Sequence, residues 1–225
     1  MNRGLAAAIT AHLIWGFAPL YWVQAQPVPA PDIVAHRVLW SLLFLVLLLT
    51  VLGRFRATAA QLFNLRTFMV IATSATAQAC NWGVFVWAVT HDRAAEASLG
   101  YFLLPLVNVA VGVLVLRERI DRAQTIAIVL AVLGITMLVV DMGGLPWVAL
   151  SLSLSFGTYT LVRKLVHIGA IEGLAMEVAF LTPMALVWLG WTGGASFGEF
   201  GNRVDMFLVG AGVLTTVPLV LYVAA

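Results

Sequence analysis

Stretches of about twenty apolar residues recur along this 225-residue chain, and that is the length an α-helix needs to cross the hydrocarbon of a bilayer. They fall at residues 5–22, 33–52, 68–89, 95–116, 124–141, 145–162, 173–191 and 206–225. The connections are short and hold the helix breakers: Pro27, Pro29 and Pro31 after the first, Gly143, Gly144 and Pro146 after the fifth, Gly193 and Gly194 after the seventh. Apolar runs such as residues 42–49 would also suit buried strands on periodicity alone. Segment length selects helices, because backbone in lipid must satisfy its own hydrogen bonds. Hydrophobic residues make up 62% and charged residues 10%, where a soluble domain carries about a quarter. With mean hydropathy at +1.02, the expected fold class is all-α: a polytopic membrane helix bundle of about eight spans.

Charge placement orients the bundle. With the N-terminus inside, the inner ends hold Arg3; Arg54, Arg56 and Arg66; Arg117, Arg119 and Arg122; Arg163 and Lys164, which is nine of the 12 basic residues. The outer ends hold Arg37, Arg93 and Arg203. Short cytoplasmic loops accumulate Lys and Arg, so the N-terminus is expected in the cytoplasm. Arg3, the apolar run and Val23-Gln24-Ala25 also imitate a cleavable signal peptide. The Trp15, Pro19, Tyr21 and Trp22 cluster argues for a permanent, interface-anchored helix instead. A net charge of +2 gives no reason to expect nucleic acid, and a single cysteine, Cys80, allows no intrachain disulfide.

The chain echoes itself. His12-Leu13-Ile14-Trp15-Gly16 faces Ser153-Leu154-Ser155-Phe156-Gly157 at an offset of 141, Arg37 faces Glu177 at 140, and residues 81–89 face 217–225 at 136. Near-constant offsets in order suggest a five-helix repeat, residues 1–143, followed by a second copy, 144–225, that holds three spans. Five is odd, so the second copy enters the membrane inverted, the arrangement common in secondary transporters. Counterparts of the fourth and fifth spans are missing, so a C-terminally truncated chain is expected.

Several strings resemble a known family. Ile14-Trp15-Gly16-Phe17-Ala18-Pro19, His36-Arg37-Val38-Leu39-Trp40-Ser41, Asn81-Trp82 and Glu96-Ala97-Ser98-Leu99-Gly100-Tyr101-Phe102 are similar to the RarD family. So are Pro105-Leu106-Val107-Asn108, Glu118-Arg119, Leu161-Val162-Arg163-Lys164 and Thr215-Thr216-Val217-Pro218-Leu219. That family belongs to the EamA branch of the drug/metabolite transporter superfamily. The resemblance implies a ten-span bacterial inner-membrane permease with two inverted five-helix repeats. Spans one to four and six to nine would surround a central cavity, with five and ten peripheral. The family's chloramphenicol label is a phenotype and names no physiological substrate.

Polar groups inside spans are the candidate site residues, because each is costly in hydrocarbon unless paired or hydrated. Arg37, beside His36, and Glu96 lie near the outer level; they are expected either as solvated helix ends or as an Arg37–Glu96 pair that gates the outer mouth. Glu177 lies near the inner level, with Arg163 or Lys164 as partner, and is the candidate for proton coupling. Trp15, Asn81, Trp82, Tyr101, Asn108 and Tyr159 are the substrate-cavity candidates, suited to a flat amphipathic solute. Each also has a structural reading, helix–helix hydrogen bonding for Asn and interface anchoring for Trp. Ala123, Ala127 and Ala131 form a small-residue stripe for close packing or a homodimer face. No His-Glu-x-x-His string, Gly-rich phosphate loop or Cys pair is present, so no cofactor or metal is expected. The expected function is secondary transport of small molecules by alternating access. A membrane-embedded enzyme, a lipid-handling protein and a non-transporting scaffold are the alternatives.

Overall fold

A computed structural model describes residues 3–114, 121–141, 144, 146–193 and 197–223. Arg117, Glu118, Arg119, Gly143, Gly194 and the side chains of Asn108, Ala123 and Ala127 lie outside what it describes. Every described element is a helix: α1 (Arg3–Val23), α2 (Ala30–Val51), α3 (Phe55–Gln61), α4 (Leu65–Thr90), α5 (Ala94–Leu114), α6 (Arg122–Asp141), α7 (Trp147–Arg163), α8 (Ala170–Trp191) and α9 (Asn202–Val223). Each expected apolar segment coincides with one of these, to within a turn or so at either end. Among the described residues four helices are long and apolar enough to cross a bilayer: Gly4–Val23, Ala30–Val51, Ala170–Trp191 and Asn202–Leu221.

Helix ends follow local chemistry. Pro29 precedes α2 and Pro31 sits in its first turn, where the missing N–H costs nothing. At the other end Gly53 adopts φ 69°, and the N–H groups of Gly53 and Arg54 bond to the carbonyls of Thr50 and Leu49. That is a Schellman stop, and it needs a residue that tolerates positive φ. Asn64 caps α4 by accepting from the Thr67 N–H at 3.1 Å. Asp121 and Gln124 exchange side chain–backbone bonds at 2.7 and 3.0 Å ahead of α6, a capping box. The short α3 was not anticipated from sequence, since its seven residues carry no membrane-length apolar run.

The bundle has two ends. The α1–α2 loop, the α4–α5 turn, the start of α7 and the α8–α9 loop meet at one of them. There Gln26 donates to the Thr90 carbonyl at 2.7 Å, Arg203 donates to the Gln24 side-chain Oε1 at 2.5 Å, and the Trp87 and Trp147 rings lie 5.1 Å apart. The opposite end gathers the α2–α3 loop and the α7–α8 loop, where Arg54 pairs with Glu172 at 3.1 Å. The centre is built from α2, α4, α8 and α9. Leu45, Val38, Ala75, Val178 and Leu181 fill one core, and Trp22, Ile33, Val86, Leu208 and Ala211 fill a second. Close approach depends on glycine at two contacts. A Cβ on Gly212 would sit 2.6 Å from the Trp40 carbonyl oxygen, and one on Gly100 would sit 2.9 Å from the Leu152 Cβ. α6 packs chiefly against α5, at the edge of the bundle.

Candidate functional site

Among the described residues two charged side chains lie two turns into a bundle helix, Arg37 on α2 and Glu177 on α8, each seven residues from the start of its helix. Those starts are at opposite ends, so with a rise of about 1.5 Å per residue each charge is about 10 Å in from its own end. The buried Asp32 sits in the first turn of α2 and accepts from the Trp188 Nε1–H at 2.8 Å.

Arg37 is held by groups from four helices. Its guanidinium carbon lies 3.9 Å from the Trp82 ring centroid and 5.1 Å from that of Trp22. Its Nε donates to the Thr215 hydroxyl at 2.8 Å, while that hydroxyl donates onward to the Ala211 carbonyl at 2.8 Å. Tyr101 of α5 is an electrostatic neighbour, and its ring packs edge-on against Phe85 at 5.9 Å. On insertion scales an arginine costs about 2.5–3.5 kcal/mol at a helix centre, which is an upper bound for one this far towards its end. A desolvated cation–π contact returns about 2 kcal/mol or more, so two indole faces offset most of that cost. The indoles are themselves buried, Trp22 at 2% and Trp82 at 5% exposure.

Glu177 is 1% exposed and sits in a polar cluster between α4, α7 and α8. Ser74 donates to its Oε1 at 2.7 Å, and the Arg163 Nε lies 3.6 Å from the same oxygen. The Tyr159 hydroxyl interacts electrostatically with both. Glu177 Oε2 and Arg163 Nη1 are buried without a hydrogen-bond partner among the described residues. Ser74 and Trp82 are eight residues apart on α4, so the two charged groups lie about 12 Å apart along that helix.

The remaining sequence candidates divide. Asn81 is buried and bonds α4 to α7, its Nδ2 donating to the Leu152 carbonyl and to the Ser155 hydroxyl, both at 3.1 Å. Trp15 packs edge-on against His12 of its own helix at 5.6 Å. His36 stacks on Phe197 at 5.6 Å. The expected Arg37–Glu96 pair is not formed. Glu96 is held by a bidentate pair with Arg93 at 2.6 and 2.7 Å, one turn away on the same helix start. Asn108 lies on α5, and its side chain is outside the described part. Sequence reasoning missed the contribution of Ser74 and Thr215. Ser74 was findable: with Gln78 and Asn81 it makes a polar stripe at i, i+4, i+7 along one face of α4. A cavity of about 540 Å³ opens at the proline-rich end between Gln26, Pro29, Trp87 and His91, and it shares no lining residue with either charged group.

The EamA-like transporter family matches residues 2–140. Over 98% of its length the chain is 39% identical to the protein RarD of Streptomyces exfoliatus, covering 71% of that protein. It is 37% identical over its whole length to RarD of Escherichia coli (strain K12), covering 77% of it. An uncharacterized transporter of Pseudomonas aeruginosa is 40% identical over the whole chain, with 76% of that protein covered. No solved structure matches the chain. The apolar helices and these relatives agree, and the chain belongs to the RarD family of EamA-like membrane transporters within the drug/metabolite transporter superfamily.

Proposed function

We propose that this chain is an inner-membrane secondary transporter of small molecules whose solute path runs between two inverted halves, α1–α6 and α7–α9. The observation that carries the reading is the pair of interior charges, one per half, at matching register but opposite ends. The helix neighbours support the inversion. Exchanging α1 with α7, α2 with α8 and α4 with α9 converts the contacts α1–α9, α2–α9 and α2–α4 into α7–α4, α8–α4 and α8–α9, and all six are present. The central α2–α8 contact maps onto itself. Such a two-fold relation lets one packing be open at one end and its mirror state open at the other, which is the physical basis of alternating access.

With the N-terminus in the cytoplasm, Arg37, Trp22, Trp82 and Tyr101 belong to the outer half of the path, and Glu177, Arg163, Ser74 and Tyr159 to the inner half. Glu177 takes the role of coupling residue, since a carboxylate removed from water on a moving helix contact can exchange its proton with one side at a time. Arg93 and Glu96 form a clasp at the outer rim, with Arg93 also lying 5.6 and 5.2 Å from the Trp87 and Trp147 rings.

The reading is tested by counterflow in proteoliposomes. Vesicles preloaded with an unlabelled metabolite are diluted into the same labelled compound, across a panel of amino acids, organic acids, nucleosides and amphipathic drugs. At least one compound should enter several-fold faster into preloaded than into empty vesicles. A panel with no such acceleration, from protein shown to be inserted and folded, contradicts transport.

A further inference from the structure

Arg37 is more than a buried charge with a structural partner. Among the described residues no carboxylate lies within ion-pair distance of it, whereas Arg54, Arg93 and Arg163 each have one. Besides its electrostatic neighbour Tyr101, its contacts among the described residues are two ring faces and one bond from Nε. Among the described residues the hydrogen bond of this guanidinium runs from Nε, and none runs from Nη1 or Nη2. The two indoles neutralise none of the formal charge; they position it. Thr215 fixes the plane of the guanidinium by occupying Nε, because its own proton is committed to Ala211. What remains is the terminal fork of an arginine, four N–H bonds in one plane, which matches a carboxylate or phosphate in bidentate geometry. Around it stand Trp22, Trp82 and the half-exposed ring of Tyr101.

We infer that Arg37, held by Trp22, Trp82 and Thr215, is the binding site for the acidic group of an organic anion whose apolar body lies along the neighbouring aromatic rings. This rests on the transporter reading and narrows its substrate class from amphipathic solutes in general to those with a carboxylate or phosphate. Arg163, the cation in the Glu177 cluster, does not compete for the role, since it already faces Glu177 at 3.6 Å. The rigid fork also sets a rule of discrimination. A neutral amide of the same shape presents a donor where the site offers only donors, so it should be rejected.

The test uses the full chain in lipid nanodiscs and three probes of one shape: labelled phenylacetate, phenylacetamide and benzylphosphonate. Equilibrium binding by scintillation proximity should show phenylacetate or benzylphosphonate at least tenfold tighter than the amide, and the order of the two acids says whether carboxylate or phosphate is the preferred group. Arg37→Gln should abolish the preference of acid over amide, and Arg37→Lys should keep it in weakened form. The wild type supplies a check that needs no variant to fold: the Arg37 ¹⁵Nε resonance should shift on adding either acid and stay fixed on adding the amide. Equal binding of acid and amide, a preference that survives Arg37→Gln, no acid binding at millimolar concentration, or an unmoved resonance would overturn the inference. Counterflow separates this failure from that of the transporter reading. Flux of a neutral or cationic solute that is indifferent to Arg37→Gln leaves transport standing and removes the anion site. Acid binding without any flux in the panel does the reverse.

Discussion

Glu177 is the residue whose loss should separate transport from its driving force. Glu177→Gln keeps an acceptor for Ser74 but has no carboxylate to exchange a proton, so counterflow should persist while uptake driven by a proton gradient falls to background. Unchanged gradient-driven uptake would remove Glu177 from the coupling role. Asn81 makes the opposite kind of prediction. Its bonds to Leu152 and Ser155 tie α4 to α7, and interhelical bonds of this sort average about 0.6 kcal/mol, with a maximum near 1.7. Asn81→Ala should therefore lower the unfolding midpoint in detergent by a few degrees and leave flux near wild type. The sequence narrowed the partner of Glu177 to Arg163 or Lys164, because both are close in the chain and at the same depth, and Arg163 is the one that faces it. For Glu96 it left open solvated helix ends or a pair with Arg37, for a related reason. Depth along a helix can be read from residue number, but azimuth cannot, and an Arg93 three residues away wins over an Arg37 on another helix. The ring contacts of Arg37 were illegible for the same cause, since Trp22, Trp82 and Thr215 come from three separate helices.

At the scale of elements, the apolar runs announced their own helices because lipid leaves the backbone no alternative. Boundaries shifted outward by up to four residues where caps and prolines, and not hydropathy, set the ends, as at Asn64 and Pro29. The α2–α9 contact is the tightest that sequence could not foresee. Nothing in the apolar run around Gly212 distinguishes it from Gly134, yet only the first lies against another backbone. Gly212→Leu should destabilise the bundle by about 1–3 kcal/mol through overpacking, read as a lower midpoint in heat-induced loss of the monodisperse peak. Gly134→Leu, where nothing lies within 4 Å, is the matched control and should be silent. Equal effects would mean that α2 and α9 do not approach as closely as described. The Arg54–Glu172 pair, with Arg54 at 63% exposure, contributes at most about 1 kcal/mol, so its removal should show in gating kinetics before it shows in stability.

For the whole molecule, orientation decides which face each interior charge serves. A maleimide that cannot cross membranes should label a cysteine placed at Asp92 from outside intact cells and one at Arg56 only after permeabilisation, in a background with Cys80 replaced. The reverse pattern would invert the bundle and exchange the sides assigned to Arg37 and Glu177. The measurement that bears most directly on alternating access is a pair of distance distributions by double electron–electron resonance. One pair of spin labels at Asp92 and Asn202 spans the proline-rich end, and another at Arg56 and Lys164 spans the basic end. As a transported solute or a proton gradient is added, the two distances should change in opposite directions, one end widening as the other narrows. Distances that stay fixed, or that widen together, would contradict the account.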